Sequence, residues 1–351
     1  MSDNGTGPKR GLLERLEAGP VICAEGYLFE FERRGYLQAG AYVPEVVLEH
    51  PELVSQLHRE FVHAGSDVVE AFTYYAHREK LRLIGKEHLL EAMNQQALTI
   101  AREVAAETGA LFAGNICNTN VFAPDEGARR AVRAMFTEQV QWAVDAGVDF
   151  IIGETFQWGE EALLALEVIR ATGKPAVITF AMHQDLAVRE GWSPAEACRR
   201  VEDQGAAVVG LNCIRGPRTM LPALADIRQT VTGYVAALPV PYRTHDEQPT
   251  FQSLHDPEHG HGDQERSFPT ALDPFTCTRY EIADFAREAA ALDIRYLGVC
   301  CGAGPHHIRS MAEALGRTPP ASRYTADMSK HAFLGTDPSL KEENQAYAEQ
   351  L

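Results

Sequence analysis

The sequence lacks any run of about 20 apolar residues, which is the length that a membrane-spanning helix needs. Its opening stretch, MSDNGTGPKRGLLERLEAG, also lacks the long apolar core of a secretory signal peptide. These two absences predict that the protein has no membrane partner and that it lies in the cytoplasm.

Basic residues are in the minority, with 32 Lys and Arg against 49 Asp and Glu and a formal net charge of -17. An acidic chain repels the phosphate backbone of nucleic acids, so we expect no nucleic-acid partner.

The seven cysteines are an odd number in a chain without an export signal, which disfavours a disulfide framework. Metal binding or catalysis explains at least some of them better.

Short β-branched runs alternate with amphipathic stretches along most of the chain, which is typical of repeated βα units around a parallel sheet. Eight such units predict an α/β fold of the (β/α)8 TIM-barrel type, with the active site at the C-terminal ends of the strands. A doubly wound open sheet is the alternative, although no GxGxxG follows the first strand. The predicted strands are residues 20–27, 66–75, 110–118, 148–156, 175–182, 206–213, 238–244 and 294–302.

The domain prediction is an N-terminal extension over 1–19, a barrel over 20–317 and a C-terminal tail over 318–351 that wraps the barrel or dangles. The polar stretch 245–266 is rich in His, Asp, Gly and Pro and predicts a loop between the seventh and eighth strands. Its histidines are candidate metal ligands, although a polar loop is the commoner explanation of such a segment. They are His245, His255, His259 and His261.

Three cysteines stand at the ends of predicted strands, Cys213 in GLNC and the pair Cys300 and Cys301 in GVCCG. Three thiolates that converge at the barrel mouth would hold a zinc ion and leave a fourth position open, as catalytic sites do. The alternative is that they are small buried hydrophobic residues. The other cysteines are better explained by packing, with Cys117 ambiguous because it lies near a strand end.

The stretches GLNC, GVCCGAGPHHIR and FERRGYLQAGAYVPE resemble the homocysteine S-methyltransferase family, most closely its betaine-homocysteine branch, over about residues 20–325. The resemblance implies a (β/α)8 barrel in which Cys213, Cys300 and Cys301 bind Zn2+. It also implies that homocysteine is one substrate and that its zinc-bound thiolate takes a methyl group from a small onium donor, giving methionine.

The resemblance extends to residues that would bind homocysteine. Glu154, at the end of IIGETF, matches a family glutamate and is expected to pair with the substrate ammonium, unless it only holds a nearby loop. Asn118 supplies a hydrogen bond to the substrate or caps a helix. Glu25 falls where the family has an Asp-Gly pair, so either Glu25 takes the place of the family aspartate one position along the chain or another residue has taken over its role.

The expected donor pocket departs from the betaine branch. Tyr75 matches the family tyrosine that holds a trimethylammonium group over its ring. Tyr42 stands where the branch has tryptophan, Thr155 where it has tyrosine, and Arg215 where it has an aromatic residue. Methyl transfer to a thiol is therefore better supported than betaine as the donor.

The sequence leaves three further hypotheses open. In the first, the methyl donor is a sulfonium such as dimethylsulfoniopropionate or S-methylmethionine. In the second, the chain is a zinc-binding or thiol-redox barrel without transferase activity. The third hypothesis is a metal-assisted hydrolase that uses the histidine loop. The chain is a monomer or a small homo-oligomer.

Overall fold

Eight parallel strands close into a barrel in the computed structural model, which describes residues 10–258, 266–348 and 350. Each strand pairs with its neighbours in chain order, and β8 returns to β1 with Val21 opposite Tyr296. All residues of the strands are buried except the first of β7, which fits their Val- and Ile-rich composition. The strands are β1 Val21–Ala24, β2 Val68–Glu70, β3 Leu111–Cys117, β4 Phe150–Phe156, β5 Ala176–Phe180, β6 Val208–Asn212, β7 Tyr234–Leu238 and β8 Tyr296–Val299.

The helices surround the barrel and confirm the predicted TIM-barrel fold. Their ends carry the expected signals: Pro51 opens α4, Asp125 caps the start of α7, and Thr278 with Glu281 forms a capping box on α11. The helices are α1 Leu12–Ala18, α2 Tyr27–Arg33, α3 Val46–Glu49, α4 Pro51–Ala64, α5 Arg78–Leu83, α6 Leu90–Thr108, α7 Glu126–Ala146, α8 Gly159–Arg170, α9 Pro194–Asp203, α10 Pro217–Thr230, α11 Arg279–Ala291, α12 Pro305–Ala314 and α13 Glu342–Ala348.

Helix α1 closes the N-terminal end of the barrel. Leu12 and Leu16 are fully buried and belong to one apolar cluster with Phe150 and Tyr296, which point into the barrel interior. The functional side chains can therefore be approached only from the opposite end, where the strands terminate.

The seventh strand was predicted in the wrong place. Residues 239–244 form a loop with an isolated bridge at Tyr242, and β7 is Tyr234–Leu238, so the observed and the predicted strand share only Leu238. Pro239 and Pro241 have no backbone N–H to donate to a neighbouring strand, so the ladder cannot continue past Leu238. The buried strand is formed by YVAAL, of which residues 234–237 precede the predicted segment.

The polar segment after β7 is a loop over its described part, as predicted, with an isolated bridge between His245 and Gln248. His245 accepts or donates a hydrogen bond through Nδ1 at 2.7 Å from Glu247 Oε2. His259 and His261 lie outside the described residues. Within the described ranges, the side-chain groups close enough to share a metal ion include no histidine of this loop.

Residues beyond α12 follow the surface as 3-10 turns at Pro320–Tyr324 and Met328–Lys330 and then helix α13, and none of these elements has a buried residue. Arg317 joins this region to the barrel through two 2.6 Å hydrogen bonds to Asp67. No helix in the described ranges is long and apolar enough to cross a membrane. The predicted domain boundaries stay predictions.

Candidate functional site

The three strand-end cysteines converge, as their sequence positions predicted. Cys213 directly follows β6, and Cys300 and Cys301 directly follow β8, with β7 between these two strands. The three Sγ atoms lie within 4.8 Å of one another, and all three residues are buried. This spacing allows three sulfurs to bind one metal ion.

The thiols form a polarised cluster. Hydrogen bonds from Cys300 and Cys301 lower the pKa of the Cys213 thiol well below its usual value. Burial raises the pKa of Cys300, and the hydrogen bond to Cys213 raises that of Cys301. Hydrogen bonds within the cluster therefore favour the thiolate form of Cys213, and a thiolate is the form in which cysteine binds a metal.

Three buried carboxyl groups lie beside the thiols. Glu25 follows β1, Glu70 ends β2 and Glu154 lies near the end of β4, and they line one narrow cavity together with the three cysteines. The cavity measures about 20 Å³, which is room for roughly one water molecule, so a larger ligand would enter only if the side chains around it moved apart. The side chains around it pack closely enough to exclude bulk water.

Burial raises the pKa of all three carboxyl groups. The pKa of Glu154 rises to about 7, mainly through burial. Burial and then the neighbouring Glu154 raise the pKa of both Glu25 and Glu70. Neither carboxylate oxygen of Glu25 has a nitrogen or oxygen donor within hydrogen-bond distance among the described residues, and the neighbouring Cys300 thiol only partly offsets its raised pKa. A cationic ligand would oppose these shifts and give the Glu25 oxygens a partner.

Two buried amides hold Glu154 in place. Asn115 Nδ2 donates to Glu154 Oε1 at 2.6 Å, and Asn212 Nδ2 donates to Glu154 Oε2 at 2.6 Å. Asn115 Nδ2 also donates to Glu70 Oε1 at 2.6 Å. Neither amide nor Glu70 was among the predicted site residues. A polar residue inside an otherwise apolar strand, as in LFAGNIC and SDVVEAF, is the signal that could have identified Asn115 and Glu70.

Thr155 lies at the same wall of the cavity. Its hydroxyl donates to Glu154 Oε2 at 3.1 Å, and its backbone N–H donates to Asn212 Oδ1 at 2.9 Å. Its φ of 62° is in the left-handed region, which is strained for a β-branched residue. The hydrogen bonds to Asn212 and Glu154 therefore fix a backbone conformation that the residue would not adopt alone.

Tyr75 and Tyr42, the predicted donor-pocket aromatics, do not line this cavity. The Lys80 ammonium lies 4.0 Å from the centre of the Tyr75 ring, and the Tyr75 backbone N–H donates to Cys117 Sγ at 3.3 Å. Burial raises the pKa of Tyr75 to about 12. Tyr42 packs with its ring centre 5.8 Å from that of Phe29, and burial, followed by the neighbouring Cys301, raises the pKa of its hydroxyl.

Asn118 and Arg215 also lie outside the cavity lining. Asn118 directly follows β3, and its backbone N–H donates to the Glu154 carbonyl at 3.3 Å. Arg215 donates through Nε and Nη2 to the backbone carbonyls of residues 182–184, at 2.6 to 3.1 Å. The bonds from Arg215 hold the loop after β5 in place. The roles of Asn118 and Arg215 in substrate binding stay predictions.

Backbone strain concentrates at this end of the barrel. Among the described residues, seven non-glycine residues have a positive φ, and five of them lie at strand ends or in the loops that directly follow strands. Thr155 is the next-to-last residue of β4, and Tyr75, Asn120, Cys213 and Ile214 lie in the loops after β2, β3 and β6. Tyr42 lies between α2 and α3. Strained backbone of this kind persists where the surrounding contacts impose it, and it is common at ligand sites.

Known proteins are similar to this chain in sequence and in fold. The model of the homocysteine S-methyltransferase family matches residues 26–315. A betaine–homocysteine S-methyltransferase from Xenopus tropicalis is 39% identical, over 96% of this chain and 84% of that protein. An S-methylmethionine–homocysteine S-methyltransferase from Pongo abelii is 37% identical, over 95% of this chain and 90% of that protein.

A solved structure shares the fold. It is the metallated form of the homocysteine methyltransferase MmuM from Escherichia coli, with a TM-score of 0.66 and 18% identity, over 85% of this chain and 98% of that one. Because the family model covers most of the chain and the relatives align over nearly all of it, this chain belongs to the homocysteine S-methyltransferase family of enzymes.

Proposed function

We propose that this protein transfers a methyl group from a small, betaine-like onium donor to homocysteine, giving methionine, with zinc bound by Cys213, Cys300 and Cys301. The observation that carries the proposal is one narrow cavity that brings together three buried thiols and the unpaired carboxylate of Glu25. Homocysteine offers a thiol that can join the three cysteines at the zinc ion and an ammonium group that can pair with the Glu25 carboxylate.

The three cysteines fit a zinc ion by their donor set. Sulfur ligands select zinc among the common divalent metals, and three protein ligands leave a position free for a substrate thiol. When bound, zinc would lower the pKa of that thiol so that it reacts as a thiolate at neutral pH.

The acidic side chains bind and orient the amino-acid part of homocysteine in this proposal. Glu154 is held from both sides by Asn115 and Asn212, so its carboxylate has a fixed direction. Glu25 brings two oxygens without other partners. Together they select a substrate that carries a positive charge close to its thiol.

The methyl transfer is a displacement. The homocysteine sulfur, having lost its proton, bonds to the methyl carbon while the bond from that carbon to the onium nitrogen or sulfur breaks. The electron pair of the broken bond stays with the departing amine or sulfide. Opposite charges are neutralised along this path, so the buried, water-poor site favours it. The residues contribute by aligning the two substrates, which makes the reaction between them effectively unimolecular.

Tyr75 supports an onium donor. The Lys80 ammonium lies 4.0 Å from the centre of its ring, so the opposite face of the ring is the one that would hold an onium donor. Glycine betaine is the first candidate donor. A sulfonium such as dimethylsulfoniopropionate or S-methylmethionine is the alternative, supported by the relative whose name specifies S-methylmethionine.

The test is methionine formation by anaerobically prepared, zinc-loaded protein given homocysteine and each donor in turn. Cys301→Ala is the inactive control, and Cys198→Ala, a buried cysteine of α9 outside the cavity, is the matched active control. We expect methionine from one donor with the wild type and Cys198→Ala, and none with Cys301→Ala. Zinc-loaded protein that forms no methionine from any of the three donors would refute the proposal.

The cytoplasmic location and the assembly into a homo-oligomer stay predictions.

A further inference from the structure

Asn115 lies between two carboxylates, and this fixes the direction of its amide. Its Nδ2 donates to Glu70 Oε1 and to Glu154 Oε1, both at 2.6 Å. An NH2 group has two hydrogens, so both are committed. The reverse orientation would place the carbonyl oxygen against the same two carboxyl oxygens, and it would be stable only if both Glu70 and Glu154 carried a proton on those oxygens.

The carbonyl oxygen of Asn115 is consequently left over. Asn115 Oδ1 is buried and has no hydrogen-bond partner among the described residues, and the same holds for both oxygens of Glu25. Asn115 and Glu25 line the same cavity as the three cysteines. All three unpaired atoms are acceptors, and no Lys or Arg lines that cavity. Buried acceptors are costly unless a donor meets them, so the site is complementary to a group with several N–H donors.

We propose that Asn115 Oδ1 accepts a hydrogen bond from the ammonium group of the thiol substrate, and that Glu70 is a positioning residue that holds Asn115 in this orientation. This inference rests on the proposed function and adds two residues to homocysteine recognition. Glu70 lines the same cavity, and the role assigned to it here is exerted through Asn115, because its Oε1 accepts one of the two Nδ2 hydrogens.

The test is calorimetric titration of zinc-loaded protein with two ligands, L-homocysteine and 4-mercaptobutyrate. The second ligand keeps the thiol and the carboxylate and lacks only the ammonium group. We expect the wild type to bind homocysteine more tightly. Asn115→Ala should weaken homocysteine binding at least about tenfold to hundredfold, because it removes the carbonyl acceptor and also the Nδ2 bond that orients Glu154, and it should change 4-mercaptobutyrate binding less than about threefold.

Variants of Glu70 separate positioning from a general structural role. In Glu70→Gln a side-chain oxygen can still accept from Asn115, so homocysteine affinity should stay within about threefold of the wild type. Glu70→Ala frees the amide, and we expect a selective loss for homocysteine of about tenfold. Zinc content and urea midpoint are measured for each variant. If Asn115→Ala does not fold, the two Glu70 variants decide the question.

Several results would overturn the inference. They are equal losses for both ligands in the variants, a wild type that does not distinguish the two ligands, or Glu70→Gln as weak as Glu70→Ala. Selective homocysteine binding without methionine from any donor would refute the proposed methyl transfer and leave the inference standing.

Discussion

Asn212 is the residue whose replacement tests most directly how the site is held together. It is fully buried, and besides a long 3.9 Å hydrogen bond from Nδ2 to Cys300 Sγ its side chain makes three hydrogen bonds of 3.0 Å or less. Oδ1 accepts from the Thr155 backbone N–H at 2.9 Å, while Nδ2 donates to Glu154 Oε2 at 2.6 Å and to Thr155 Oγ1 at 3.0 Å. Asn212→Ala removes all three bonds while keeping the backbone next to Cys213.

The expected loss of stability follows from these bonds. A hydrogen bond to a carboxylate contributes about 1.5–3 kcal/mol, and a buried N–H without a partner costs about 1–3 kcal/mol. Since Thr155 is also held at a strained φ of 62°, part of the loss is offset when that residue relaxes. We expect the free energy of unfolding to fall by about 3–4 kcal/mol. Glu154 loses its fixed direction, so homocysteine affinity should fall at least about tenfold.

The assay is urea unfolding together with calorimetric titration of homocysteine. Asn94→Ala is the matched control, because Asn94 is equally buried and also makes three side-chain hydrogen bonds, to Ala76, Leu90 and Gln139. We expect both variants to lose stability and only Asn212→Ala to lose homocysteine affinity. Equal affinities in the two variants would refute the view that Asn212 orients the substrate-binding carboxylate.

Three further predictions concern zinc, acid stability and the donor. Cys213→Ser should lose bound zinc while Cys198→Ser keeps it, as measured by atomic emission, and zinc retained in the first variant would mean that other ligands hold it. Arg243 lowers the pKa of Glu281 from 4.5 to about 2, so this carboxylate stabilises the fold above about pH 4.5 and the effect disappears as the pH falls through 2. Because both side chains are more than a third exposed, Glu281→Gln should lower Tm by only about 1–3 °C at pH 7 and by less at pH 3, and an equal decrease at both pH values would contradict this. Tyr75→Leu should raise the KM of the donor about threefold to thirtyfold. Tyr75→Phe keeps the ring face, so its KM for the donor should stay near that of the wild type. A similar KM in both variants would argue against binding of the onium group over the ring.

The barrel was predictable because its strands are buried on both faces and read as short apolar runs. β3 and β4 fall inside the predicted segments 110–118 and 148–156. β7 was missed because the prediction gave weight to residues around Pro239 and Pro241, which cannot donate to a ladder. Placement of the three thiols followed from topology, since strands that flank a common neighbour bring their ends together.

The carboxylate and amide network could not be derived in the same way. Because 66–75 was predicted as one strand, its end was placed at Tyr75, five residues beyond the true end of β2 at Glu70. Asn115 lies two residues before the end of β3, so a search confined to strand ends passes over it. Its role depends on a partner from β2 and another from β4, which only the closed barrel brings together.

The left-handed residues at the barrel mouth bear on attempts to engineer this enzyme for heat resistance. Glycine adopts a positive φ without steric cost, so replacing Thr155 or Tyr42 by glycine would relieve local strain of about 1 kcal/mol or more. A screen for melting temperature alone would reward such changes. They would also delete side chains of the candidate substrate pockets. A thermostabilised variant of this enzyme should keep those positions fixed and draw its gains from the helical shell.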